Sequence, residues 1–563
     1  MSHSAKEGLR SAGTISDTTS LPEASDWKFV VAVIALVLIL TSIPYAYAYW
    51  STPPDRQFMG IMLDVPDHTQ YFSWMRELSQ ANLASNKLTP EPNRPAFFNL
   101  LWWMLGRVGR LLGWDYAAIF QLLRAVAAIA FLLAAYRVCT WFFAERAKRR
   151  VAFLILTFTS GFGWVLVLMK YTLAHGVLPR PMDVFTAEGN TFLGILGYPH
   201  FVAAAVYILV FDLVLRGEAR SRLTYFGVAG LLAQFLGWQH AYDLVSVYGV
   251  LLAYVVLRGL RDRRLPRFLL LGTAIAGALS FWPALYSVWL TRVDPVWRGV
   301  LSQFANAGVF SPRPLDLVIL LGPAFLLSLY GLIRRSPFRL SAQSDRDLFL
   351  QAWFLSYFVL IYLPVDFQVH LLNGWQVPIA LLATAGLYEG IVPWLTRRLR
   401  AESEAAQASL RRWAAVAVIA LILPTNIYLL AWRFFDLSRH DYPFYLTRDD
   451  VAALSWLESN AQPDDVVLSS LTIGQYVPAW TGANAFLAHW AETLDFFGKS
   501  KDVVRYYAAG TPDADRLTLL RQNGVDFVFS GEPERELGSY DPASSSALQL
   551  VYQNSSVRIF SVQ

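Results

Sequence analysis

The sequence predicts an all-α polytopic membrane domain of about 11 transmembrane helices, followed by a small C-terminal α/β soluble domain. Three observations carry this. Hydrophobic residues make up 55% of the 563-residue chain and charged residues only 16%, against roughly 25% charged in soluble domains. Apolar runs near the ~20 residues needed to cross a bilayer recur from residue 28 to residue 433. Past Arg433 the composition turns polar, and from residue 445 short strand and helix patterns alternate.

Residues 1–27 are polar and rich in Ser, Thr and Ala, which predicts a disordered cytoplasmic N-terminus. The first apolar run is followed by AYA at 46–48, which resembles a signal-peptidase site. Retaining the run gives the better topology. The predicted spans lie near 28–49, 117–142, 151–170, 198–215, 223–238, 240–257, 268–290, 315–333, 348–364, 371–395 and 412–433. The pair 223–238 and 240–257 is short, and reads either as two spans or as one long tilted helix.

Charge arbitrates. With the N-terminus inside, the inner connections AERAKRR, RGEARSR, RGLRDRRLPR, RRSPFRLSAQSDRD and TRRLRAESEAAQASLRR hold 4, 3, 5, 4 and 5 Lys+Arg. The outer connections are longer in total and sparser: six in 50–116, only Arg180 in 171–197, and three in 291–314. This favours two spans in 223–257, and places the C-terminus outside a cell (plasma) membrane. The membrane domain is then 28–434, with a first outer loop at 50–116, and the extracytoplasmic domain is 445–563. In that domain DVAALSWLESN and RLTLLRQNG read as helices, DDVVLSS and VDFVFSG as strands, and LQLVYQNSSVRIFSV as a hairpin turning at QNSS.

Several classes are disfavoured. The single cysteine, Cys139, forbids an internal disulfide. No CxxC or HExxH motif suggests structural zinc, and no GxxxxGK[ST] loop suggests an ATP-driven pump. No internal repeat points to a transporter built from two halves. No metal, cofactor or nucleic-acid partner is expected; membrane lipids are.

Polar residues at membrane depth are costly and default to functional hypotheses. Here they collect at predicted outer ends: Asp64, Asp67 and His68; Glu188, Asn190 and His200; Gln239, His240 and Asp243; Asp366, Gln368, His370 and Asn373. Each alone reads as a helix end in water, and His240 and Asp243 have the i, i+3 spacing of a structural pair. Together they bring histidines, carboxylates and amides from four segments to one side.

The stretch DVPDHTQYFSWM, residues 64–75, is the most specific of these. Pro66 reads as a first-turn residue, and Asp67 lies where the helix dipole favours a carboxylate. Asp64 reads as a helix-start residue. Asp67, Tyr71 and Trp74 share a face, which suits a general base beside sugar-stacking rings.

These residues resemble the glycosyltransferase C (GT-C) superfamily. By pattern they are similar to protein O-mannosyltransferases and lipid A aminoarabinose transferases, whose first outer loop carries Asp-acidic-x-x-Tyr. Here the stretch is Asp67-His68-Thr69-Gln70-Tyr71, so the Asp and the Tyr match and His68 replaces the second acid. That departure leaves the substrate branch open. The segment TPEPNRPAFFNLLWWMLGRVGRLLGWDYAAIFQLLRAVAAI extends the likeness: a Pro-containing loop, an amphipathic helix and an Arg-bearing second span. The runs GFGW, GNTFLGILGYPHF, GWQHAYDL and AHWAETLDFFGKSKDV resemble those of a group of bacterial GT-C-like membrane proteins.

The resemblance implies a metal-independent inverting transfer from a polyprenyl-phosphate-linked sugar to a glycan, lipid or protein acceptor. Asp67 would be the base. Asp64, Tyr71, Arg94, Glu188, His200, His240, Asp243, Asp366 and His370 would contact substrate, with Arg94, Arg298 or Arg313 available to the leaving phosphate. His489, Glu492 and Asp495 either cap the site or lie on a polar helix of the outer domain. A lipid flippase and a non-catalytic membrane scaffold are the alternatives.

Overall fold

The computed structural model describes residues 24–173, 175–177, 183–304, 310–335 and 337–563. Most of the expected disordered segment 1–27 lies outside the described residues; its last residues already belong to the first helix, Ala24–Ser51. The chain divides into two compact units. The first comprises Met1–Ser42, Leu123–Leu285 and Phe310–Trp432; the second comprises Ile43–Leu122, Tyr286–Val309 and Arg433–Gln563. The segment 50–116 and the C-terminal segment 445–563 therefore fall in the same unit.

Among the described residues, seven helices are long and apolar enough to cross a membrane. Two bent pairs, Arg146–Phe158 with Gly163–Thr172 and Arg267–Ser280 with Trp282–Val293, raise the number to nine if each is one span. The remaining difference from eleven lies in two helices that are too short. Leu223–Gln239 has 17 residues and Asp345–Leu360 has 16, below the ~20 that cross a bilayer unaided. The segment 223–257 is two helices, Leu223–Gln239 and Asp243–Asp262, broken at residues 240–242.

The first unit is helical, with a continuous apolar core. Trp375 sits at its centre, fully buried, stacked on Tyr357 at 5.4 Å, and its indole N–H donates to the Phe354 carbonyl. A buried indole needs such a partner. The bend after Phe158 has a backbone cause. Phe162 N–H donates to the Ile319 carbonyl in helix Asp316–Arg334. That helix is itself kinked at Gly322, which has φ 62° and precedes Pro323. A Cβ on Gly322 would lie 2.6 Å from the Gly161 Cα. Close backbone approach thus requires glycine on both sides. The basic connections are also neutralised locally: Asp26 is paired with Arg146, Arg149 and Arg150, and Arg335 with Asp347 and Glu389.

The second unit carries both sheets. Strands β1 (Arg56–Phe58) and β2 (Tyr445–Thr447) pair antiparallel, with Gln57 opposite Leu446. Strands β3 (Val466–Leu468), β4 (Asn484–Ala485), β5 (Val525–Ser530), β6 (Leu548–Gln553) and β7 (Arg558–Val562) form one sheet in the order β4-β3-β5-β7-β6. β3 is parallel to β4 and β5; β7 is antiparallel to β5 and to β6. The α/β pattern read from 445 onward is present. Helix Arg448–Asn460 opens on a capping box between Thr447 and Asp450, and the QNSS turn joins β6 to β7.

Replacing Gly322 by Ala is expected to lower the melting temperature of the detergent-solubilised protein, with a loss of at least ~1 kcal/mol. Gly227→Ala, where an added Cβ meets nothing within 4 Å, should leave it unchanged or raise it. Thermal unfolding of both variants checks this.

Candidate active site

Helix Val65–Gln80 begins at Asp64, whose backbone is left-handed (φ 41°, ψ 63°). The Asp64 side chain makes no cap bond; its carbonyl instead accepts from the His68 backbone N–H and lies 2.9 Å from His68 Nδ1. His68, which stands in place of the second acid, is buried edge-on against Phe120. Pro66 occupies the first turn, and Asp67 follows it with its carboxylate at the positive end of the helix dipole.

Three side chains hold Asp67. His489 Nε2 lies 2.9 Å from Oδ1, and the Trp490 indole N–H donates to the same oxygen at 3.3 Å. The Tyr71 hydroxyl, one helical turn on, reaches Oδ2 at 3.5 Å. The role of His489 follows from its other nitrogen. Nδ1 accepts from the backbone N–H groups of Ala491 (3.1 Å) and Glu492 (3.2 Å). That assigns the ring proton to Nε2, which donates to Asp67. Burial alone would raise the Asp67 pKa. The His489 bond, with the His489 and His68 imidazoles and then the Trp490 indole adding electrostatic support, more than offsets this and holds the carboxyl below its ordinary range. Asp67 keeps 19% of its side-chain surface exposed, whereas His489 keeps 2%. The carboxylate is therefore the more accessible member of the pair.

The segment HWAETLD is a turn and not a polar helix. Thr493 Oγ1 accepts from the Ala488 and His489 backbone N–H groups and donates to the Leu88 carbonyl. Asn86 Nδ2 donates to the Glu492 carbonyl, and Gln303 Nε2 to those of Ala491 and Thr493. Lys499 pairs with Glu91 and also donates to the Leu494 carbonyl. Segments from each part of the second unit thus fix the turn.

Glu492 is the second carboxyl here. It is 3% exposed, and its Oε1 accepts from Gln70 Nε2 at 2.7 Å. Burial, with the Asp67 charge adding to it, pushes its pKa up to about 7. Two carboxyls beside one turn are therefore driven in opposite directions. Glu534, buried at the start of helix Glu532–Leu537, is likewise raised to about 7 by burial.

The other sequence-predicted residues divide. Tyr71 and Trp74 are packed, Tyr71 on Trp102 at 4.6 Å and Trp74 on Phe97 at 4.4 Å, so Tyr71 offers its hydroxyl and not a ring face. Arg94 is exposed, Arg298 donates to the Thr291 and Arg292 carbonyls, and Asp495 is exposed at the start of helix Phe496–Tyr507. Glu188, His200, His240, Asp243, Asp366 and His370 belong to the first unit. Four of them form two pairs: His370 Nδ1 lies 2.6 Å from Glu188 Oε1, and His240 Nδ1 lies 3.5 Å from Asp243 Oδ2. Tyr207 donates to Asp243 as well, and Gln239 donates to the His200 carbonyl. Asp366 and Arg313 are exposed. Among the described residues, no group of three or more His, Cys, Asp or Glu converges to hold a metal ion. Sequence reasoning missed Trp490 and Gln70; the adjacency of Trp490 to His489 was the available signal.

No family model and no curated protein matches the sequence. Solved structures do. The chain is similar to the oligosaccharyltransferase of Archaeoglobus fulgidus tethered with an acceptor peptide, with a TM-score of 0.56 and 12% identity, over 89% of this chain and 69% of that one. The archaeal oligosaccharyltransferase AglB from the same organism, in complex with an inhibitory peptide and a dolichol-phosphate, gives 0.52 and 12% identity, over 90% and 70%. The arabinofuranosyltransferase AftD from Mycobacteria gives 0.54 and 15% identity, over 95% of this chain and 40% of that one. The fold is that of the GT-C glycosyltransferases.

The raised carboxyls set a pH dependence. Folded Glu492 and Glu534 keep protons that the unfolded chain releases above the ordinary 4.5. Stability therefore falls as pH rises from there to about 7 and levels off beyond. Glu492→Gln is expected to remove its own share of that slope, up to roughly 3 kcal/mol, in melting temperatures measured from pH 5 to 8.

Proposed function

We propose that this protein is an integral-membrane glycosyltransferase that moves a sugar from a polyprenyl-phosphate donor to an acceptor on the outer face of the membrane, with inversion at the anomeric carbon. The observation that carries this reading is the half-buried Asp67 carboxyl at a helix start, which accepts hydrogen bonds from His489 and Trp490 and whose pKa is lowered. The GT-C fold supports the transferase class. Dolichol-phosphate is bound in the similar AglB complex, which supports a lipid-linked donor.

The chemistry follows from how the carboxylate is loaded. Among the described residues Oδ1 accepts two hydrogen bonds, while Oδ2 accepts the long one from Tyr71. Oδ2 is therefore the basic atom. The acceptor hydroxyl donates to Oδ2 while its oxygen attacks the anomeric carbon from the face opposite the phosphate. The bond from that carbon to the phosphate oxygen breaks, its electron pair leaves with the phosphate, and the hydroxyl proton ends on Asp67. A phosphate leaves as a stable anion and needs no strong acid. His489 keeps Asp67 oriented and its charge stabilised throughout.

Asp67→Asn keeps the shape and removes the base. It is expected to lower transfer from membrane-extracted polyprenyl-phosphate sugars by about 10²-fold or more, while membrane insertion and melting temperature stay near those of the unaltered protein. Undiminished transfer would contradict the assignment.

A further inference from the structure

The helix that presents Asp67 carries another functional feature on its far side. Arg76 lies nine residues on, which is half a turn around the axis and ~14 Å along it. Its guanidinium borders a cavity of about 480 Å³, within the ~300–1,000 Å³ of small-ligand sites. Tyr49, Tyr116, Trp480, Arg448, Glu458 and Asp115 also line it.

The cavity is built and not incidental. Arg76 is locked by Glu458 at 2.9 Å and by the Trp480 and Ala479 carbonyls at 3.0 and 3.4 Å. Gly482, at φ 81°, keeps this seat open, since a Cβ there would lie 3.0 Å from Arg76 Nε. Tyr49 has 54% of its surface exposed, its ring packs edge-to-face with Phe58 at 4.9 Å, and its hydroxyl lies against Gly60, where an added Cβ would come within 3.0 Å of it. Trp480 is braced by Phe72 and Tyr476.

The charges indicate the ligand. Two guanidinium groups, Arg76 and Arg448, stand against two carboxylates, Glu458 and Asp115. A site for a phosphate or an acidic glycan carries a surplus of cations. A balanced set of planar donors and acceptors, with aromatic rings beside it, suits a neutral polyhydroxyl compound: hydroxyls pair with the charged groups and the apolar face of a sugar lies on a ring. Tyr49 and Thr52, which line the cavity, flank the end of the candidate span Asp26–Ser51.

We propose that this cavity is a non-catalytic binding site for neutral carbohydrate, separate from the Asp67 centre, and that it anchors a glycan acceptor. The anchoring role rests on the transferase reading; the binding does not. The test uses the full-length protein in phosphatidylcholine nanodiscs, titrated with neutral hexasaccharides (mannose, glucose and arabinofuranose) and with an oligogalacturonate as the acidic control. At least one neutral hexasaccharide is expected to bind, and Tyr49→Ala and Arg448→Ala are each expected to weaken it about tenfold or more without changing the melting temperature. Asp67→Asn is expected to bind as the unaltered protein does. In the transfer assay Tyr49→Ala should raise KM for the hexasaccharide acceptor, leave kcat alone, and leave a monosaccharide acceptor unaffected. Glucosyl diacylglycerol placed in the nanodisc distinguishes the source. If it displaces the free hexasaccharide and alone is held, the site takes a lipid headgroup and the anchoring role is overturned. Absence of neutral-glycan binding, binding indifferent to both substitutions, or preference for the oligogalacturonate overturns the proposal. Intact glycan binding with no transfer by the unaltered protein would instead count against the transferase reading.

Discussion

The site depends on the two backbone N–H groups that donate to His489 Nδ1. They fix the imidazole tautomer without any further side chain. The opposite nitrogen must then donate, and Asp67 lies 2.9 Å from it. A hydrogen bond aimed into a half-buried carboxylate is worth more than the same bond in water. Everything that holds the turn in place, from Thr493 to Asn86 and Gln303, therefore acts on the charge of Asp67. The triad logic of an oriented histidine is present with the roles rearranged: the histidine supports the carboxylate, and the backbone supports the histidine.

The same turn separates two acids. Asp67 sits at a helix N-terminus with three donors; Glu492, four residues after Ala488, is buried with Gln70 on one oxygen. One environment compensates burial and the other does not. The result is a carboxylate available as a base beside a carboxyl that keeps its proton until about neutral pH.

Much of this was legible in the sequence, and the failures have physical causes. Helix Val65–Gln80 was readable because Pro66 and Asp67 are local start signals. The C-terminal strands β5, β6 and β7 were readable because each runs five or six residues with a turn signal beside it. Strands β1 (RQF) and β2 (YLT) were not, because they lack the apolar β-branched run that marks the equally short β3 (VVL). The HWAETLD segment has helical composition, yet His489 bonds its own backbone two and three residues on. This local competition ends helix formation and leaves no trace in apolar spacing. Gln70 and Trp490 acquire meaning only through partners 422 and 423 positions away along the chain. The span count fell short where helices such as Leu223–Gln239 are apolar but brief.

The most direct test of the central claim is the acid limb of the kcat/KM–pH profile for sugar transfer, measured in a Glu492→Gln background with and without His489→Gln. The substitution at 492 removes the neutral-range titration that would mask it. If His489 holds Asp67 ionised, the limb lies at low pH with His489 present and moves up by about one unit or more without it, because burial then goes uncompensated. An acid limb at the same pH in both proteins would contradict the account.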